Sequence, residues 1–195
     1  MARLPKVSKE SLPPEKRYLL DTLAAGDEND EDEDPGHNLS GSTLNVYSVM
    51  ANNPPLLEGF WTYRDEILEH GGLTTIEREY IILALARHVD AAYEWQQHVR
   101  VSLGAGVTQE EIIAISDHDL DALDPKYATL VEYVAACIDG SVDDQIHAAL
   151  AQYYDDSTII GILSLAGLYL SLARLLQALD IKTEVEFVGW RLENL

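Results

Sequence analysis

A single cysteine, Cys137, stands in 195 residues, which excludes a disulfide or a dithiol redox pair within one chain. Its setting, Val134-Ala135-Ala136-Cys137-Ile138, is that of a small buried hydrophobe rather than a nucleophile. Positive charge is scarce too: 13 Lys and Arg, five of them lysine, face 34 Asp and Glu, a formal charge of −21. A surface this negative repels phosphates and anionic lipid, so nucleic acid and membrane are excluded as partners. The acids spread well beyond the Asp27–Asp34 run. That spread favours a halophile's hydrated surface over an acidic interaction tail. The longest charge-free run, Ser157 to Ala173, falls short of the roughly 20 apolar residues that span a bilayer. It contains Ser164, Tyr169 and Ser171, and reads as a buried core helix. Met1 to Glu10 alternates charged and apolar residues and lacks the pattern of a signal peptide, so a soluble, cytoplasmic protein is expected.

Strand-period alternation is also missing, and helix start and stop signals recur in its place. Pro13-Pro14 opens a short amphipathic helix to about Ala25, with Tyr18, Leu19 and Leu23 on its apolar side. Gly26 to Gly36 reads as a self-repelling acidic linker. Helices are then predicted over Leu44–Met50, Leu56–His70, Thr74 to about Val89, Asp90 to Gly104, Gln109–Ser116, Asp124–Ile138, Ser141 to about Tyr154, and Ser157 to about Leu179. Thr74-x-x-Glu77 and Thr108-x-x-Glu111 are capping boxes, and Asp124-Pro125 pairs a cap with proline at the first helical position. Asp90 is the candidate cap of its helix. The organisation is an N-terminal extension over 1–37, an all-α domain over 38–181 and a tail over 182–195 in which Phe187 and Trp190 predict docking.

Chemistry concentrates in Tyr93-Glu94-Trp95-Gln96-Gln97-His98. Glu94 and His98 lie four apart and share one helix face. Glu79 sits fifteen residues upstream in another apolar-periodic helix. Core-facing acids and histidines need partners or shifted pKa values, so this set marks a site as well as it marks a mutually satisfied pair. A metal on Glu94 and His98 needs a third ligand, and no spacing singles out His70 or His88, so no metal is assigned.

Three segments in order carry a resemblance: Leu73-x-x-Ile76-Glu77-Arg78-Glu79, Tyr93-Glu94-Trp95-x-x-His98, and Gly104-x-Gly106-Val107-Thr108-x-Glu110-Glu111-Ile112. Together they resemble the carboxymuconolactone decarboxylase family, whose other branch is the alkylhydroperoxidase D-like proteins. The likeness runs from about Leu44 to Ile181, and Asn52-Asn53-Pro54 fits it. It implies an alkylhydroperoxidase D-like helical domain that assembles as a homo-oligomer, a trimer or a hexamer. The apolar residues of Ile159–Leu179, distributed around the whole helix, support assembly independently.

In the peroxidase branch the resemblance implies a relay of a glutamate, two cysteines in C-x-x-C and a histidine. Here the glutamate falls on Glu79, the histidine on His98, and the two cysteines on Ala91 and Glu94. Without a thiolate and a resolving thiol, peroxidase activity is not expected. The decarboxylase branch implies neither cysteine nor cofactor. There His98 would donate the proton that quenches an enolate-like charge, Glu94 would orient the imidazole and Glu79 would complete a proton path. Arg100 or Arg87 would hold a substrate carboxylate, with Trp95 and Tyr93 as substrate contacts or packing. The expected activity is cofactor-independent decarboxylation, or acid/base chemistry, on a small carboxylated lactone or ring acid. The alternative is a non-catalytic family member that binds a small molecule or serves as a scaffold, motivated by the missing C-x-x-C and the extension.

Overall fold

The computed structural model describes residues 2–21 and 44–195, and among these no strand occurs. Eight α-helices follow in order: α1 (Asn45–Met50), α2 (Pro54–His70), α3 (Thr75–His88), α4 (Ala92–Ala105), α5 (Gln109–Asp117), α6 (Pro125–Asp139), α7 (Asp144–Leu150) and α8 (Asp156–Leu179). The acidic run of Gly26–Gly36, Leu23 and the start of the compact part at Asn38 lie outside the described residues.

The helix starts follow local chemistry. The Thr74 and Thr108 hydroxyls accept from the amides of Glu77 and Glu111, whose carboxylates return to the cap amides at 2.8 Å. Asp124, Asp143 and Asp155 cap α6, α7 and α8 through the amides of Lys126, Ile146 and Thr158. Two sequence expectations need correcting. Asp90 does not cap α4: it sits in the left-handed region at φ 52°, its carboxylate accepts from Arg87, and Ala91 is the N-cap without a side-chain bond. The helix predicted from Ser141 to Tyr154 is shorter, because Asp143 provides the cap and the chain turns after Leu150.

α3 is the hub. Glu77 and every residue from Glu79 to Ala86 are buried, so the helix is covered on all sides, by α4, α5, α6 and α8. α8 is also long and apolar enough to cross a membrane by length and composition, but it lies in the core. Ile159, Ile162, Leu165, Leu168, Leu172 and Leu176 are buried, while Ile160 is 64% exposed. α2 and α8 meet backbone to backbone: a Cβ built on Gly161 would lie 2.1 Å from the Gly71 carbonyl oxygen.

A second apolar cluster ties the N-terminal segment to this bundle. Leu12, Leu19 and Leu20 pack with Val46, Leu57, Trp61 and the end of α8. The stretch Pro14–Leu20 is a 3-10 helix, with Leu19 and Leu20 buried and Tyr18 exposed instead of on the apolar side. The Trp61 indole N–H donates to the Leu19 carbonyl, and Lys16 pairs with Glu58 at 2.6 Å. The tail docks as its aromatics predict: Phe187 and Trp190 pack edge to face, and Trp190 lies against Trp95.

Candidate functional site

α3 and α4 pack side by side and bring Glu79 and His98 together in a layer closed to water. Glu79, Glu94 and His98 keep 4%, 3% and 5% of their surface. The Glu79 Oε2 lies 2.9 Å from His98 Nδ1. A carboxylate can only accept, so Nδ1 carries the hydrogen and the Nε2 lone pair faces the other way. There Glu94 Oε2 stands at 3.9 Å, beyond hydrogen-bond length. Ser102, one turn after His98, places its hydroxyl 3.2 Å from the same Glu79 oxygen and donates also to the His98 carbonyl.

The placement of the two acids about the imidazole differs from the sequence expectation. The (i, i+4) spacing places Glu94 near His98, but Glu79 makes the orienting hydrogen bond. The two carboxylates lie on opposite edges of the ring and do not converge on one metal-binding point. His70 pairs with Glu66 at the surface and His88 with Asp139, so neither joins this group. Cys137 sits on α6 with its thiol pushed up by burial.

Several neighbours have no signal in the sequence. Tyr169 of α8 meets the His98 ring edge-on, with centroids 5.1 Å apart at 85°. Tyr47 of α1 is packed 4.5 Å from Trp61, and Arg64 of α2 lies over the same Trp61 ring. Burial is the main cause that pushes both tyrosine hydroxyls well above their usual range, with Tyr47 next for Tyr169; Arg64 pulls both down, and Glu94 adds a smaller upward push. The Glu94 carboxyl is raised to about 7: burial is the main cause, Glu79 adds to it, and His98 opposes it.

The other expected site residues lie elsewhere. Arg100 is exposed: two residues beyond His98 is roughly 200° around the helix, so it points away from the centre. Arg87 is engaged with Asp90, the Ser116 carbonyl and the Trp190 ring. Trp95 is fully buried and donates to the Gly189 carbonyl, which makes it the anchor of the tail. Tyr93 donates to Glu184 at 2.6 Å and likewise holds the tail. Ala91, where the resemblance places a first cysteine, lines a surface cleft of about 320 Å³ with Tyr93, Leu176 and Phe187.

Residues 54–122 match the carboxymuconolactone decarboxylase family. The crystal structure of an uncharacterized peroxidase-related protein with an alkylhydroperoxidase AhpD core, from Ralstonia eutropha JMP134, superposes with a TM-score of 0.79. It is 19% identical, over 97% of this chain and 96% of that one. An uncharacterized peroxidase-related protein from Silicibacter sp. TM1040 gives 0.76 at 18% identity, covering 96% and 94%. A variant of the debrominase Bmp8, in complex with 2,3,4-tribromopyrrole, gives 0.69 at 17% identity, covering 89% and 90%. At these identities the likeness is one of fold. No curated protein sequence matches the chain. The matched segment holds Glu79, Glu94 and His98, whereas Tyr47 and Tyr169 come from helices outside it. Residues 54–122 are thus similar to the carboxymuconolactone decarboxylase family, and the chain has the all-α fold of the structure with an alkylhydroperoxidase AhpD core.

Proposed function

We propose that this protein is a cofactor-independent, thiol-free acid/base enzyme acting on a small carboxylated lactone or related ring acid, with loss of CO₂ as the favoured reaction. The observation that carries the reading is the buried Glu79–His98–Glu94 array, in which carboxyl groups stand on both edges of one imidazole and no thiol takes part. Glu79 fixes the ring tautomer and leaves Nε2 turned toward Glu94, as a carboxylate orients the ring in other histidine dyads. A dry surround strengthens each electrostatic contact with a developing enolate charge. Arg100 has no part in this reading, and Arg64 replaces it as the cation that attracts an anionic substrate. The peroxidase-related names of two structural neighbours do not carry over, because Ala91 and Glu94 occupy the positions of the relay's cysteines. The debrominase likeness gives a reason to include halogenated ring acids among the substrates screened. We place the enzyme in the cytoplasm, as a homo-oligomer.

The test is a panel of unsaturated lactone acids and ring acids assayed for CO₂ release and substrate loss, with an organic hydroperoxide plus dithiol as the contrasting arm. The expected result is turnover of one or more acids by the wild type, at least about 10²-fold less by His98→Ala, and no peroxide reduction. Equal turnover by both proteins, or peroxide reduction alone, overturns the reading. A protein that binds these acids without turning any over is the non-catalytic family member instead.

A further inference from the structure

Two carboxyl groups share one imidazole in this centre, and their environments are unequal. Glu79 Oε2 takes the Nδ1–H of His98 and has the Ser102 hydroxyl beside it. Glu94 has no such support. Its Oε2 stops 3.9 Å from Nε2, and its Oε1 is buried without a hydrogen-bond partner. The titratable groups around it are Tyr47 from α1, Glu79 from α3, Tyr93 and His98 on its own helix, and Tyr169 from α8, with Arg64 of α2 as the cation that acts on Tyr47 and Tyr169. Arg64, the cation of this set, is also in contact with Asp65 and Trp61. An ionised carboxylate here would lose its water, gain no compensating hydrogen bond and face the charge of Glu79. A neutral carboxylic acid loses far less on leaving water and does not face the charge of Glu79.

We propose that Glu94 rests as a neutral carboxylic acid and is the proton donor of the centre, with His98 Nε2 as the base that reloads it. The inference deepens the proposed function and rests on it for the substrate. The elevated pKa of Glu94, about 7, agrees with the geometry. Opposite protonation of two adjacent groups is the arrangement that assigns acid and base. When the carbon–carboxylate bond of a lactone acid breaks, its electron pair stays on the ring carbon conjugated to the lactone carbonyl, and CO₂ departs. The Glu94 proton then forms the new C–H bond and leaves a carboxylate. A solvent proton taken up at His98 Nε2 crosses to that carboxylate, so each turnover consumes one proton. Glu94 stands where the resemblance places a cysteine of the redox relay, so in this chain a proton carrier replaces an electron carrier.

The experiment combines infrared spectroscopy with turnover. Wild type, Glu94→Gln and His98→Gln are titrated from about pH 6 to about pH 8.5, a range in which ordinary carboxyl groups are ionised. The carbonyl stretch of a protonated carboxylic acid is followed, with turnover of an unsaturated lactone acid as the second readout. The expected result is a protonated-acid band in the wild type that fades near neutral pH and is missing from Glu94→Gln. That variant also loses at least about 10²-fold in kcat with KM little changed, while His98→Gln keeps the band. A wild type without the band overturns the inference whatever the turnover, and so does Glu94→Gln turning over like the wild type. A Glu94-dependent band without turnover of any acid supports the neutral carboxylic acid and counts against the proposed function alone.

Discussion

Glu94→Gln should make the protein more stable at alkaline pH and leave it nearly unchanged in acid. Burial raises the carboxyl from 4.5 to about 7. At about 1.4 kcal/mol per unit, the native state holds this proton more tightly than the unfolded chain by about 3 kcal/mol. The raised value fixes the sign. Below pH 4.5 both states are protonated, and the contribution of the neutral acid is complete. It declines as the pH rises and is lost once the native carboxyl ionises at about 7. The amide of the variant never ionises, so its advantage should grow from near zero below about pH 4, through about 1 kcal/mol at about pH 5, to about 3 kcal/mol at about pH 8.5. In a chain of this length that corresponds to a thermal midpoint raised by about 6–12 °C. Urea or thermal unfolding of the two proteins across the range measures it, and the difference curve removes the titration that both share across the acidic surface. A difference flat with pH, or one favouring the wild type as pH rises, would refute the reasoning about Glu94.

Other consequences follow from the packing and the charge. Gly161→Ala would press a methyl group onto the Gly71 backbone, where neither partner has a side chain to move. It should cost about 1–3 kcal/mol or more and lower the thermal midpoint, whereas a midpoint at the wild-type value would show that α2 and α8 separate freely. A charge of −21 with few lysines should make folding weaken as salt is withdrawn. Midpoints measured from low to molar potassium chloride should rise, and a flat or falling series contradicts the halophile reading. Ile160, 64% exposed on α8, should be covered by another subunit. Light scattering at molar salt should then give a multiple of 21.7 kDa, with the mass of one chain as the contrary result.

The sequence was most readable where local chemistry decides the structure. Thr74, Thr108 and the Asp124-Pro125 pair begin helices because caps act within one turn, and the structure realises all three. Asp90 shows the limit of that logic: it has a capping side chain, but the tight turn between α3 and α4 puts it in the left-handed region, and Arg87 takes its carboxylate. The helix spacing correctly put Glu94 beside His98. It had no means to show that α3 would present Glu79 to the other nitrogen at a shorter distance, because that depends on how two helices pack. Ser102, four residues after His98, was legible on the same face. Tyr47 and Tyr169 were not, since they are separated from His98 by 51 and 71 positions and come together only in the folded chain. Tyr93 and Trp95 looked like site residues because large aromatics flank the motif, but the tail that occupies them is distant in sequence.

The central claim is that the chemistry is centred on His98 and owes nothing to a thiol. The most direct test is turnover of an unsaturated lactone acid in thiol-free buffer by wild type, Cys137→Ser and His98→Ala side by side. The account predicts that Cys137→Ser matches the wild type within about twofold and that His98→Ala loses at least about 10²-fold. Loss of activity in Cys137→Ser, or undiminished turnover by His98→Ala, would contradict it.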